Sequence, residues 1–312
     1  MNGYLRNLLI VFVLLLCAFP TNAEAKKLIP MGHSVNIQLQ MPFVFVTNDV
    51  LLDNGQWLKK GDKLLKMNKE KLHSIDELKN IDDSSVEMTF ERAKKRHKLK
   101  LTKDELNQLS PFLKNETDGI GTLTYIDPDD LQYGALGHQI IDHSLNIAPE
   151  VAKGSLFLAT ITQIKKSSPG EPGYKISKEP TEEAKLGSVV TNDVYGIFGK
   201  WQQPIQKSLQ QPLEIIPSDD IQSGKAQLFT SIEGSEVEAF DIRIEKKSGS
   251  TFQFSVTDER LLDKTGGIIQ GMSGSPIIQD NRFIGAVTHM YVEQPTKGAA
   301  ITIVEMIKKS PE

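Results

Sequence analysis

The sequence predicts a mainly β protein built as two globular halves behind an apolar leader. Three observations carry this reading. Residues 34–40, SVNIQLQ, alternate apolar and polar side chains at the period of a half-buried strand. Eight short runs rich in β-branched and aromatic residues recur between positions 121 and 290, with turn residues between them at the spacing of a sandwich or barrel. Residues 8–19, LLIVFVLLLCAF, form an unbroken apolar run that is short for a membrane span.

Composition narrows the function classes. With 39% hydrophobic and 24% charged residues, the 312-residue chain has the make-up of folded domains rather than of a disordered one. A net charge of −4 leaves no basic footprint for nucleic acid, and two tryptophans, Trp57 and Trp201, offer no stacking platform. Cys17 is the only cysteine, so the chain has no disulfide, and the part beyond the leader has no thiol nucleophile and no cysteine metal site.

Residues 1–25 read as a signal peptide, or else a membrane anchor. The apolar run is followed by TNAEA, where Ala23 and Ala25 fit a small-x-small cleavage pattern. Either reading exports the rest of the chain to the cell envelope, with membrane association possible through this segment.

Residues 26–105 read as short strands with one helix. SVNIQLQ and the β-branched run PFVFVT (42–47) are strands, Asn54-Gly55 and Gly61-Asp62 are turns, and KLLKM (63–67) is a third strand. Ser74 and Glu77 stand in capping-box spacing before a helix. SVEMTFERAKKRHKLKL (85–101) alternates as a closing hairpin, and its basic run is read as a solvated face. This order, with WLKKGDKLLKMN (57–68) ahead of the Ser-capped helix, resembles a PDZ domain. The resemblance implies a module that adds an extended chain end as a strand and receives its carboxylate in the loop MGHSVNI (31–37). Val35, Asn36 and Ile37 then form the peptide-binding loop, with Asn36 where the family usually has glycine. Residues 106–118 read as the end of a short helix and a linker.

Residues 119–312 read as all-β, and one turn in them invites chemistry. IIQGMSGSPIIQD (268–280) sets Gly-Met-Ser-Gly-Ser-Pro between two apolar runs. A hydroxyl nucleophile needs a sharp turn, a neighbouring base and backbone amides aimed at the developing oxyanion. In trypsin-type peptidases those amides belong to the serine and the residue two before it, here Ser273 and Gly271. Ser275 has the wrong offset. Gly-Ser-Pro turns are also common structural features, so a base is required.

Of six histidines, His33, His73 and His97 read as surface residues of the first half. His138 closes the small-residue turn YGALGH after the strand GTLTYI, and a base from a first barrel suits a nucleophile from a second. His143 is a substitute and His289 a residue that lines the cleft or sits in the core. His138 and His143 lack the flanking glutamate of a zinc motif. Asp258, Asp142 and Asp127 are the acids available to orient the base; each also reads as a turn, cap or surface residue.

Three passages add a resemblance: GIGTLTYIDPDDLQYGALGH (119–138), NDVYGIFGK (192–200) and VTDERLLDKTGGIIQGMSGSPIIQDNRFIGAVTHMYVEQPTKGAAI (256–301). With them the chain resembles the stage IV sporulation protein B serine peptidases, family S55. The resemblance implies an N-terminal PDZ domain and a trypsin-like double β-barrel peptidase domain over 119–312. It maps the nucleophile onto Ser273, the base onto His138 and the acid onto Asp258, and requires no cofactor and no metal. It implies a secreted endopeptidase that clips itself and a membrane-associated regulator of an intramembrane protease, between the forespore and mother-cell membranes, so that a sigma-factor precursor is processed. The alternative from another class is a catalytically silent PDZ-type scaffold that holds a membrane partner.

Overall fold

The computed structural model describes residues 26–78, 84–205 and 211–310. Residues 1–25, read above as a signal peptide or membrane anchor, therefore lie outside the described residues. Two closed six-stranded barrels dominate the chain. The first is formed by β1 (Ser34–Val46), β2 (Leu113–Ile126), β3 (Gln132–Ala135), β4 (Lys153–Leu158), β5 (Lys185–Asp193) and β6 (Gly196–Trp201). The second is formed by β7 (Gly224–Thr230), β8 (Glu238–Ser248), β9 (Thr251–Val256), β10 (Pro276–Gln279), β11 (Arg282–Tyr291) and β12 (Gln294–Thr302).

Around each barrel the strands follow the same order, first-second-third-sixth-fifth-fourth and back to the first. Closure removes the open edges that a flat sheet would present. Inward-facing residues fill each barrel, Val35, Ile37, Leu123 and Ile197 in one and Leu228, Phe240, Phe254 and Val287 in the other. A further cluster packs Leu28, Tyr125 and Phe198 against Phe283, Ile301 and Met306, so that helix α3 (Ile303–Ile307) and β11 of the second barrel close onto the first. This is the double β-barrel architecture that the resemblance implies.

The expected division of the chain changes at its N-terminal half. Residues 34–40 do not belong with the unit that follows them. They pair with β2 from Ser34↔Thr122 to Gln40↔Glu116, and with β4 from Leu158↔Val35 to Lys153↔Gln40, as the first strand of the first barrel. The strand then runs on through a register shift between Gln40 and Phe45 and pairs Val44 and Phe45 with Leu64 and Lys63. Period-two alternation is the same in a barrel strand and in a module strand, so the sequence could not separate them.

The intervening residues form an insertion between β1 and β2, with its own core of Val44, Leu58, Leu64, Val86, Phe90, Leu101 and Leu106. Its turns are those read from the sequence: Gly55 has φ 79°, and Asn54 Oδ1 accepts the Gln56 N–H at 2.9 Å. The hairpin Ser85–Arg92 and Lys95–Thr102 also forms as expected. Two elements differ. Ser74 starts a 3-10 turn over Ile75–Leu78, beyond which residues 79–83 lie outside the described ones, and Glu77 reaches back to the His73 N–H instead of completing a box with Ser74. The capping box forms at Thr102 and Glu105, heading α1 (Lys103–Leu109). The expected linker 106–118 is the end of α1, a 3-10 turn and the first half of β2.

Candidate active site

The site forms where the third-to-fourth connections of the two barrels meet. His138 lies three residues beyond β3, and Ser273 lies three residues before β10. The segments that carry them come together because nothing with a side chain could stand at Gly274. A Cβ built there would lie 2.1 Å from the Thr122 carbonyl oxygen and 2.4 Å from the Leu136 nitrogen, and φ is +92°. Glycine at this position is thus required by contact and by backbone conformation together.

Thr122, fully buried on β2, is the clamp between the two connections. Its N–H donates to the Ser273 carbonyl at 2.9 Å, and its own carbonyl accepts the Leu136 N–H at 3.1 Å. Its hydroxyl donates to the Gly271 carbonyl at 2.8 Å and accepts a long bond from Ser275 Oγ at 3.4 Å. One residue of the first barrel therefore fixes the Ser273 turn relative to the segment that ends in His138. Ser275, fully buried behind the turn, serves packing.

Ser273 is half-buried, and its hydroxyl donates to the Thr288 carbonyl at 3.1 Å. Among the described residues the N–H groups of Gly271 and Ser273 have no protein acceptor. The carbonyls on the same two peptide planes are held: Gln270 O by the Lys175 N–H at 3.1 Å, and Met272 O by the Ser275 N–H at 3.0 Å. A trans peptide is planar with N–H opposed to C=O, so anchoring the carbonyl aims the amide away from it. Two such free, pre-aimed amides flanking a hydroxyl are what an oxyanion hole requires.

His138 Nδ1 lies 2.8 Å from the Gln139 carbonyl oxygen. A carbonyl only accepts, so Nδ1 carries the hydrogen, and in the neutral ring Nε2 has the lone pair. Burial pushes the His138 pKa below the ordinary histidine value; the Gln139 carbonyl opposes this and the neighbouring His289 adds to it. The exposed His289 ring stacks on His138, with centroids 5.6 Å apart and planes at 29°. The candidate site thus has an imidazole of lowered pKa, a hydroxyl and two amides without a protein acceptor among the described residues, a set able to run acyl transfer.

Several expectations change here. Asp258 does not meet His138. It caps α2 (Glu259–Thr265), accepting the Arg260 and Leu261 N–H groups at 2.9 and 3.3 Å, and its other oxygen takes the Asp241 N–H and the Arg260 guanidinium. Burial pushes its carboxyl up, but Arg260 and the backbone donors outweigh that and hold it below the usual range. Asp142 is committed to Lys114 at 2.7 Å and to Ser144, and Asp127 to Lys26 at 2.7 Å. The carbonyl of Gln139 stands where an orienting acid was expected.

Val35, Asn36 and Ile37 are likewise not a peptide-binding loop. Each is paired on both sides within the first barrel, so no edge is left for an incoming strand. Asn36 instead accepts from Ser177 Oγ at 2.9 Å and donates to the Lys178 carbonyl. His33 is half-buried and not on the surface, with burial lowering its pKa, and His143 is exposed away from these contacts.

Sequence reasoning missed three contributors. Thr122 sits inside a strand, and only the fold makes its hydroxyl matter. Asn192, at the end of β5, bonds both backbone groups of Ile140 (2.8 and 3.0 Å) and the Pro149 carbonyl, and so pins the chain just past His138. Lys175 ends KKSSPGEPGYK (165–175), a stretch with the Pro, Gly and polar make-up of a surface loop. It lies instead in the hairpin Ile161–Lys165 and Tyr174–Ser177, which leaves the first barrel between β4 and β5 and straps the turn before Ser273.

The SpoIVB peptidase S55 family matches residues 106–307. The chain belongs to that family. Its match begins inside α1, so β1, the strand that closes the first barrel, lies ahead of it. No curated protein matches the chain. Among solved structures, the active form of the Rv3671c protease from M. tuberculosis is 13% identical, with 63% of this chain and 76% of that one covered and a TM-score of 0.34. The thermostable serine protease AL20 from an extremophilic microorganism is 10% identical, covering 59% and 85%, with a TM-score of 0.36. Human heparin binding protein is 10% identical, covering 61% and 86%, with a TM-score of 0.35. As a member of the S55 family the chain is a serine peptidase.

Proposed function

We propose that this S55 peptidase is an exported endopeptidase in which Ser273 is the nucleophile and His138 the base. The Ser273 hydroxyl leaves the Thr288 carbonyl and gives its proton to His138 Nε2 while Oγ bonds to the substrate carbonyl carbon. The oxygen of that carbonyl takes the negative charge and is held by the Gly271 and Ser273 amides. His138 then returns the proton to the departing amine, and the acyl-enzyme forms. Water, deprotonated by the same imidazole, releases the acyl group and restores the hydroxyl.

The single observation that carries this reading is the Thr122 clamp. It holds Ser273 and the His138 segment together across two barrels. Orientation of His138 falls to the Gln139 carbonyl and the Asn192 pins, with Asp258 in a structural role. The substrate is a protein. In keeping with the family, we assign it as a membrane-associated regulator of an intramembrane protease, with self-cleavage besides, in the space between the forespore and mother-cell membranes. The inserted unit, with its separate core, is the part suited to docking such a partner.

Incubating purified protein with its Ser273→Ala copy tests this. Fragments of the inactive copy are expected when wild-type protein is added, and none when Ser273→Ala is incubated alone.

A further inference from the structure

Lys175 places an amine where none is expected. It is 3% exposed and fully enclosed among barrel residues. Among the described residues its amine bonds only two hydroxyls, Ser34 Oγ at 2.9 Å on β1 and Thr230 Oγ1 at 3.0 Å on β7, so it ties the first barrel to the second. Ser34 Oγ is also 3.3 Å from the Ser231 carbonyl, to which it donates, leaving its lone pair for the amine. A neutral amine has two N–H groups for these two acceptors, whereas an ammonium would strand a third in the interior. Burial accordingly pushes its pKa down to about 7.

The same residue touches the oxyanion-hole peptide twice. Its main-chain N–H holds the Gln270 carbonyl at 3.1 Å, on the very plane that carries the Gly271 amide. Its stem lies under Gly271, where a built Cβ would be 3.1 to 3.3 Å from Lys175 Cδ, Cγ and Cβ. The strap around it is sewn down independently. Ser167 Oγ donates to the Ile268 carbonyl at 2.9 Å, the Gln270 N–H donates to Gly173 O at 2.8 Å, and Ser177 donates to Asn36.

We propose that Lys175 is a positioning residue for the oxyanion hole: anchored through its amine to both barrels, it holds the Gln270–Gly271 peptide with the Gly271 amide turned toward the reacting carbonyl. This rests on the peptidase reading of Ser273. It also makes the strap between β4 and β5 a working part of the site. Losing the anchor lets the peptide rotate, and the first donor of the oxyanion hole is lost with it.

The test uses the full chain labelled with 15N-glycine. It compares wild type with Lys175→Met, which keeps the stem and removes the amine, and with Lys175→Ala, which removes both. The Gly271 amide resonance is expected to move in both variants while remote turn glycines such as Gly55 and Gly249 stay in place. The rate of Ser273 labelling by a fluorophosphonate probe is expected to fall by on the order of 10²-fold in Lys175→Ala, the cost of one oxyanion donor, and by less in Lys175→Met. A melting curve establishes that each variant is folded; if the smaller side chain unfolds the protein, Lys175→Met decides. An unmoved Gly271 resonance, or a moved one with the labelling rate within about twofold of wild type, overturns the proposal. A wild-type chain that takes no label removes the peptidase reading instead, and the Gly271 resonance still reports whether Lys175 holds that peptide.

Discussion

The hydroxyl of Thr122 donates to the carbonyl of Gly271 at 2.8 Å, across the boundary between the two barrels. Thr122→Val keeps the shape and removes that donor. It leaves the Gly271 carbonyl buried without its partner, at a cost of about 1–3 kcal/mol. It also loosens the plane that joins Gly271 to Met272. The expected result is a lower melting temperature together with a kcat reduced by on the order of tenfold and KM little changed, read from steady-state cleavage of a peptide substrate. An unchanged kcat in a destabilised protein would reduce Thr122 to a packing residue.

Burial lowers the His138 pKa, and His289 adds to that lowering. In the proposed mechanism the neutral imidazole is the working base, and its lowered pKa keeps that form populated to lower pH than an ordinary histidine would. The acid limb of kcat/KM therefore falls below the usual histidine range. His289→Gln removes one cause of the lowering, so the His138 pKa rises and the acid limb moves to higher pH. A pH profile of the two proteins checks this, and a limb that stays put or moves down would contradict it.

Asp258 is expected to behave as a helix cap. Asp258→Ala should cost about 0.5–2 kcal/mol in stability, the usual range for a lost N-cap. Below its melting temperature the variant should keep near-wild-type turnover and an unshifted acid limb. A loss on the order of 10⁴ in kcat, as expected for an orienting acid, would return Asp258 to the catalytic set.

Asn192 holds the His138 segment from the first barrel through three hydrogen bonds. Asn192→Asp keeps the acceptor for the Ile140 N–H but turns the donor toward Ile140 O and Pro149 O into a second acceptor. Two bonds become repulsive contacts. Turnover is expected to fall by at least about tenfold, since each lost buried bond is worth on the order of 1 kcal/mol. The same loss in Asn192→Ala would show that it is the pins, not the new charge, that matter.

What was legible in the sequence follows from what repeats locally. The strands of the second barrel, the Asn54-Gly55 turn and the Gly271–Ser273 geometry are written in alternation, turn residues and offsets a few positions long. His138 and Ser273 stand out as candidates because each stands on a short, unusual turn. Residues 34–40 were assigned to the wrong neighbour because alternation reports burial on one face and not which strand lies beside it. Thr122 and Lys175 were invisible for the same reason: their partners lie 149 and 141 positions away. Asp258 shows the opposite hazard, since an acid fifteen residues before the serine suited the resemblance and is committed in the fold to its own helix.

The most direct measurement is mass-spectrometric localisation of a fluorophosphonate adduct on wild-type protein, with Ser273→Ala, Ser275→Ala and His138→Ala in parallel. The account predicts a single adduct on Ser273, kept in Ser275→Ala and abolished in both other variants. An adduct on Ser275, or labelling of Ser273 that persists unchanged in His138→Ala, would contradict it.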